Sequence, residues 1–206
     1  MSEGLINPGR PIVLASASKS RSNLLRAAGV MVEIVPAHAD EESVKAALLA
    51  EGAPAAQCAE TLAELKAVQV SQRYPGALVI GADQMLECGG VWFDKPADLY
   101  AARNHLIAMR GKTHVLPTAV AVALNGARIW HHVALPKLTM RDFDDAFIDA
   151  YLKTAGAAVL SSVGAYQLEG PGAQLFSRID GDFFTILGLP LLELLGFLRE
   201  HQVATR

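Results

Sequence analysis

The feature that most constrains this chain is segment 78–84, Leu-Val-Ile-Gly-Ala-Asp-Gln. Its apolar run, which stops at Gly81, predicts a short buried strand. The strand leads directly into Asp83, and a carboxylate at the end of a buried strand is costly unless another group binds it. The pair Gly89-Gly90 favours a hairpin, which we expect to bring Lys95 back towards Asp83. Two interpretations fit: a metal or phosphate site, or a structural ion pair beside a tight turn.

Composition places the chain among ordinary globular proteins. Its 206 residues, 51% apolar and 19% charged, suffice for one sizeable domain. The net charge of -3 argues against binding to nucleic-acid polymers, which favours a basic excess. No apolar run is long enough to span a bilayer, and no leader pattern precedes the first strand. Cys58 and Cys88 lack metal-ligand spacing, so we expect a protein of the reducing cytoplasm without a membrane partner.

The first strand and helix suggest an anion site. Residues 11–15 predict a strand, and Ser18 is the natural N-cap of the helix that follows Ser16. Lys19 and Arg21 then place two cations in the first turn, where the helix dipole disfavours positive charge. A bound anion would make this arrangement favourable, because free N–H groups, serine hydroxyls and an arginine would converge on it. The alternative is two exposed cations of small cost.

Two further segments carry charged residues with two interpretations each. The acids at 40–42, Asp-Glu-Glu, stand where a loop meets a helix, and they serve either as ordinary helix starters or as ligands of a hard cation. Lys66 lies one helical step from Leu62 at the edge of an apolar face. It either extends its ammonium to solvent or points into a cleft.

Strands and helices alternate early and a hairpin follows, which predicts an α/β fold with a mixed sheet and flanking helices. Asn125-Gly126 is a strong hairpin signal between strands at 115–124 and 129–135, and Pro117 suggests an edge or a bulge in the first of them. We predict a single domain, 1–206, with a loose N-terminal tail over 1–10. The GxGxxG and GxxxxGK[ST] signatures are absent, so the usual dinucleotide and P-loop interpretations do not apply.

Several segments together match the motifs of a known family. In chain order they are 14–21 (Leu-Ala-Ser-Ala-Ser-Lys-Ser-Arg), Asp40-Glu41, Lys66, 81–84 (Gly-Ala-Asp-Gln), Lys95-Pro96, 164–170 (Gly-Ala-Tyr-Gln-Leu-Glu-Gly) and 188–190 (Gly-Leu-Pro). They resemble the Maf family of nucleoside triphosphate pyrophosphatases, in order and over nearly the whole chain. Lys19 and Ser20 depart from the family's usual Pro and Arg or Trp, and Ser161-Ser162 replaces a more typical Asp-Lys.

The resemblance implies an elongated fold with a central cleft, like that of inosine triphosphate pyrophosphatases, and hydrolysis of a nucleoside triphosphate to monophosphate and pyrophosphate. It implies that Asp83 takes a proton from the attacking water and, with Glu41, binds Mg²⁺ or Mn²⁺. The other expected site residues are the cations Arg21, Lys66 and Lys95 and the phosphate-binding hydroxyls of Ser16 and Ser18. It also suggests a homodimer. A nucleotide-sensing regulator of septum formation without turnover, and a phosphatase removing only the terminal phosphate, are the alternatives.

The resemblance also bears on the base. One branch of the family acts on dTTP and UTP and carries Arg, Thr and Gln at three specificity positions, whereas the 7-methyl-GTP branch carries Trp, Gln and Glu. This chain has Ser20, Gln84 and Glu169 there. Glu169 can accept two hydrogen bonds from a guanine, whereas Ser20 offers no aromatic face for a cationic methylated base, a role that Tyr166 could take. We therefore predict a guanine-type preference with weak selectivity for the methylated form.

Overall fold

The polypeptide backbone alternates between helices and short strands along most of its length. A computed structural model describes residues 10–201, so the predicted tail lies outside the described residues apart from Arg10. The strands are β1 Ile12–Leu14, β2 Glu33–Ile34, β3 Leu78–Gln84, β4 Leu86–Cys88, β5 Val91–Phe93, β6 Thr113–Val115, β7 Thr118–Leu124, β8 Ala127–Ala134, β9 Lys137–Met140 and β10 Phe176–Asp180. The α-helices are α1 Lys19–Ala27, α2 Glu41–Ala50, α3 Ala55–Ser71, α4 Leu99–Met109, α5 Asp145–Ala155, α6 Phe183–Ile186 and α7 Leu191–Glu200.

The chain divides into two compact units. Within the described residues, the first comprises 10–83, 118–134 and 188–201, and the second comprises 84–117 and 135–187. The α/β class with a mixed sheet is confirmed, although the strands form two five-stranded sheets where the sequence suggested one. Within residues 10–201, no helix combines the length and the apolar character that crossing a membrane requires.

The first unit is built on a mixed sheet with the strand order β2-β1-β3-β7-β8. Strand β1 pairs in parallel with both β2 and β3, while β7 and β8 form an antiparallel hairpin. The hairpin turn is at Asn125-Gly126, as predicted, and both residues have the positive φ angles that such a turn requires. Helix α3 packs on β7 and β8, and its buried face is rich in alanine. The small side chains bring α3 close to the sheet.

The second unit contains an antiparallel sheet with the order β10-β9-β6-β4-β5. The predicted hairpin at Gly89-Gly90 joins β4 to β5. Helices α4 and α5 contact each other beside a core that includes Leu86, Leu106 and Met140. Two 3-10 helices, Val163–Ala165 and Pro171–Leu175, shape the glycine-rich segment that precedes β10.

The prediction of one strand over 115–124 is wrong. Strand β6 ends at Val115 in the second sheet, and β7 begins at Thr118 in the first. Pro117, between them, neither lies in an edge strand nor forms a bulge: β7 is an interior strand, and the register shift of its pairing falls between Val122 and Ala123. Proline suits the position because it cannot donate to a sheet ladder at the point where the chain leaves one sheet for another.

Gly81 allows the closest approach of helix to sheet in the first unit. A Cβ atom there would clash with the Ala63 carbonyl oxygen and lie 2.7 Å from the Ala67 backbone nitrogen. Because side chains alternate along a strand, Gly81 and Asp83 present the same face of β3 to α3. The missing side chain at Gly81 therefore lets α3 come near enough for its own side chains to contact Asp83.

We expect Gly81→Ala to destabilise the protein by about 1–3 kcal/mol, because the added methyl group meets helix backbone that cannot move independently. The matched control is Gly196→Ala within α7, where the new Cβ would contact only the end of the Arg199 side chain. That variant should be neutral or stabilised by up to about 1 kcal/mol. Urea unfolding of both variants measures the difference, and equal stability of Gly81→Ala and the parent would contradict this account of packing.

Candidate active site

The candidate site lies beyond the carboxyl ends of two adjacent parallel strands, β1 and β3. Leu14 pairs with Ile80 in the register of these strands, and the backbone N–H of Ala15 donates to the Ile80 carbonyl at 2.8 Å. The chain then continues into Ser16 on one side and Asp83 on the other. Both residues are buried, with exposed fractions of 8% and 6%. In open α/β sheets this edge is where ligands usually bind.

Lys66 joins two acids at this edge. Its ammonium donates to Asp83 Oδ1 at 2.6 Å and forms an ion pair with Glu41 Oε1 at 2.8 Å. The side chains of Lys66 and Asp83 are each only 9% exposed, whereas that of Glu41 is 42% exposed. The interpretation of Lys66 as a solvent-directed lysine is wrong. The structure brings Asp83, Lys66 and Glu41 together, as three of the predicted site residues.

Of the acids at 40–42, Asp40 fits the interpretation as a helix starter, whereas metal binding by Glu41 stays a prediction. Asp40 is an ordinary N-cap of α2: it accepts from the Ser43 backbone N–H at 3.1 Å and from the Ser43 hydroxyl at 2.7 Å. These hydrogen bonds lower the pKa of the Asp40 carboxyl. Glu41, the first helical residue, contacts Lys66 instead. The cap sets the direction in which α2 begins and thereby places Glu41.

The start of α1 adds a second cation. Ser18 caps the helix as predicted by accepting from the Arg21 backbone N–H. The Arg21 side chain turns back to donate to Ser16 Oγ at 3.1 Å and to the Gly188 carbonyl at 2.8 Å. Arg21 is therefore not the exposed cation of the alternative interpretation, whereas Lys19 is exposed. Ser20 is half-buried in the same turn.

The electrostatics of Arg21 link it to the acids. Burial lowers the pKa of its guanidinium, and the negative charges of Asp83 and Glu41 partly oppose that shift. Two cations, Arg21 and Lys66, thus stand near two anions in a largely desolvated region. A neutral cluster of this kind avoids the cost of isolated buried charges.

The two carboxylates Glu41 and Asp83 are a plausible donor set for a divalent metal. Within the described residues 10–201, no group of three or more His, Cys, Asp or Glu side chains is arranged to hold a metal. Mg²⁺ commonly uses only one or two protein carboxylates and completes its coordination with water and substrate phosphates. The residues present therefore fit a metal that is shared with a phosphate ligand, and they do not fit a closed structural metal site.

The remaining predicted residues belong to the second unit. Lys95 and Glu169 are exposed, on the segment after β5 and in the glycine-rich loop respectively. The side-chain amide nitrogen of Gln84 donates to the carbonyls of Thr185 and Ile186 at 3.1 and 3.2 Å, so this residue supports α6. The expected approach of Lys95 to Asp83 joins residues of different units and stays a prediction.

Sequence reasoning missed a buried pair behind the glycine-rich loop. His114 Nε2 lies 2.8 Å from the Tyr166 hydroxyl, and both side chains are buried. The Tyr166 ring also packs edge-on against Phe176, so it is held inside the unit and is not presented to a base. A lone histidine on a short strand gave no signal for this contact. Ser161 is one of the two serines that replace the more typical Asp-Lys of the family. Its hydroxyl accepts a hydrogen bond from the Gln167 side chain in the same loop.

One further partner, the Gly188 carbonyl, gave no signal of its contact in the sequence. Gly188, in the segment Gly-Leu-Pro, supplies the carbonyl that holds Arg21, although 167 positions separate the two residues. The first-unit cluster is thus assembled from the ends of β1 and β3, the starts of α1 and α2, helix α3, and Gly188 in the segment that leads into α7. His131 contacts Glu60, and the His132 ring stacks on Trp130.

Fold and site define an α/β protein with an ion-pair cluster at the ends of its parallel strands. The sequence model of the family described as Maf-like protein matches residues 11–201, and the chain belongs to this family. It is 58% identical, over 92% of its length and 97% of the relative, to a nucleoside triphosphate pyrophosphatase of Paramagnetospirillum magneticum. It is 54% identical to a protein of the same name from Granulibacter bethesdensis, over 94% and 98% of the two chains. A 7-methyl-GTP pyrophosphatase of Brucella suis is 51% identical over 93% and 96%.

The buried histidine makes stability depend on pH. Burial lowers the pKa of His114 to about 4 from an ordinary 6.5, so the unfolded state binds more protons between these values. The contribution of His114 to the free energy of unfolding should be constant above pH 6.5 and fall by about 3 kcal/mol as the pH drops to 4. Denaturant unfolding at several pH values measures the slope. His114→Phe should flatten it, whereas the exposed-site control His131→Gln should keep it. An unchanged slope in His114→Phe would contradict the assignment.

Proposed function

We propose that this chain hydrolyses nucleoside triphosphates to the monophosphate and pyrophosphate. The observation that carries the proposal is the cluster in which the buried Lys66 joins the buried Asp83 to the partly exposed Glu41, next to the helix start that contains Arg21. The names of relatives at 50–58% identity support the same reaction. A triphosphate is highly charged, and its hydrolysis requires fixed cations and a base close together.

Each site residue of the first unit would have its own role in the hydrolysis. Asp83 Oδ1 or its partner oxygen would accept the proton of the attacking water, which generates the nucleophile. Lys66 and Arg21 would neutralise phosphate charge, and the start of α1, with the hydroxyls of Ser16 and Ser18, would hold a phosphate. From the second unit, Lys95 would add a further cation. A divalent metal on Glu41 and Asp83 would supply additional neutralisation of the phosphates.

The desolvated position of Asp83 favours turnover over mere binding. A protein that only senses a nucleotide needs cations for the phosphates, but it gains nothing from a buried carboxylate that repels them. At an exposed fraction of 6%, Asp83 is kept in place by Lys66 in spite of that repulsion. We infer that the acid has a chemical role. Cytoplasmic location and a homodimer stay predictions from the sequence.

We expect the purified protein to release pyrophosphate from nucleoside triphosphates in the presence of Mg²⁺ or Mn²⁺ and to lose activity in excess chelator. Asp83→Asn should lower kcat by about 10²–10⁴-fold, because it removes the base while keeping the side chain's shape. Asp149→Asn makes the same change at an exposed aspartate of α5 and should leave kcat unaltered. Phosphate detection with and without an added inorganic pyrophosphatase separates pyrophosphate from orthophosphate. Orthophosphate as the first product would indicate a terminal phosphatase, and tight binding without turnover a sensor.

We further propose a guanine-type base preference, read by Glu169. A carboxylate accepts the N1–H and the exocyclic amine of guanine together, whereas the carbonyls of thymine or uracil repel it. Glu169 is exposed in its loop and so can approach a bound base. The names of relatives include 7-methyl-GTP pyrophosphatase, which supports a guanine substrate. Ser20 provides no aromatic surface, and the Tyr166 ring is buried, so selectivity for the methylated base should be weak.

The test compares kcat/KM for GTP, 7-methyl-GTP, dTTP and UTP. The parent should favour the guanine nucleotides by roughly one to two decades, which corresponds to about 1–3 kcal/mol for a mispaired polar group. Glu169→Gln should reduce that ratio, because an amide can accept only one of the two guanine hydrogen bonds. Glu193→Gln, at an exposed position of α7, is the matched control. Equal or better use of dTTP by the parent would refute the assignment of Glu169.

A further inference from the structure

Lys66 makes the same contacts that a cation bound at this site would make. Its ammonium is within 2.8 Å of one oxygen on each of Glu41 and Asp83, the two carboxylates that fit a divalent metal. The residue is only 7% exposed, so little water screens these contacts. The cluster thus already contains a positive charge at the point where two acids converge.

A metal bound through these same carboxylate oxygens would compete with this ammonium for them. Carboxylate oxygens are the preferred ligands of hard divalent cations, and each hydrogen bond from the ammonium occupies a lone-pair position that a metal would use. Two cations at one desolvated position also repel each other strongly. The lysine is suited to leave, because its compact charge sits on a flexible four-carbon chain.

We propose that Lys66 acts as a built-in substitute for the metal: it holds Glu41 and Asp83 together, and a divalent cation that binds these acids displaces it. This inference rests on the proposed function, because the displaced ammonium, with its three donors, becomes free to contact a phosphate of the substrate. Metal binding and the presentation of Lys66 to the phosphates are then a single event. While Lys66 contacts the acids it compensates their charge, and the metal is bound weakly until a nucleotide accepts the lysine.

The direct test is metal affinity without nucleotide. Mn²⁺ is titrated into parent and Lys66→Met protein, with free Mn²⁺ followed by electron paramagnetic resonance. Removing the competing ammonium should tighten the Kd for Mn²⁺ by about tenfold or more, equivalent to about 1.4 kcal/mol. Lys19→Met, which removes one exposed cation from the start of α1, makes the same change in net charge and should alter the Kd little. An unchanged or weaker Kd in Lys66→Met, or an equal gain in Lys19→Met, would overturn the proposal.

A second measurement uses the unmodified protein, because Lys66→Met leaves two carboxylates unpaired and could fold poorly. A small acetylating reagent is applied with and without saturating Mn²⁺, and each lysine is quantified by mass spectrometry. Acetylation of Lys66 should rise when Mn²⁺ is present, since the ammonium has left its two acids. Lys153, exposed on α5, should react equally in both conditions. A Lys66 that reacts no faster with Mn²⁺ than without it would overturn the proposal.

The two proposals fail in different ways. Absence of pyrophosphate release from the parent would refute the proposed hydrolysis, while the Mn²⁺ titration of Lys66→Met would still report on competition at the acids. Normal release by the parent, combined with a Kd that Lys66→Met does not tighten, would refute only the displacement of Lys66.

Discussion

The site in the first unit depends on two ion pairs, which Lys66 forms with Asp83 and with Glu41. Lys66 and Asp83 are almost completely desolvated, and removing one partner of a buried pair typically costs about 3–5 kcal/mol, because the other charge is left uncompensated. Replacing such a pair with apolar side chains is often neutral or stabilising, so the pair itself is weak evidence of a stabilising purpose. A charged pair that the fold does not need for stability is more simply explained by the chemistry it makes possible.

The backbone positions this pair through close packing. Lys66 lies within the turn of α3, from Ala63 to Ala67, that rests against Gly81, and Asp83 lies two residues further along the same face of β3. Any side chain at Gly81 would push the helix away and lengthen the contact between Lys66 and Asp83. The small alanine side chains of α3 likewise keep the helix close to the sheet along the rest of the interface. Gly81 therefore sets the distance between α3 and β3 at which Lys66 can contact Asp83.

The sequence predicted these elements well where the signal was local. The apolar run before Gly81, the Ser18 cap and the Asn125-Gly126 turn are each determined by a few neighbouring residues, and all three are confirmed. Prediction from the sequence failed where tertiary contacts determine the structure that a segment adopts. The strand predicted over 115–124 is apolar apart from Thr118, and nothing in that pattern shows that its two ends join different sheets. A proline inside the run was the one local sign, and it indicated a break without showing its kind.

The candidate site shows the same division. Family motifs marked Glu41, Lys66 and Asp83 individually, but that one ammonium contacts both acids follows only from the way α2 and α3 pack. The hydrogen bond from Arg21 to the Gly188 carbonyl joins residues near opposite ends of the chain, and a backbone acceptor carries no side-chain signature at all. The sequence thus shows which residues are charged, whereas the fold determines which of these charges pair. At this site the pairing matters more. The ion pair with Lys66 keeps the Asp83 carboxylate at a position where phosphate binding alone would favour only cations.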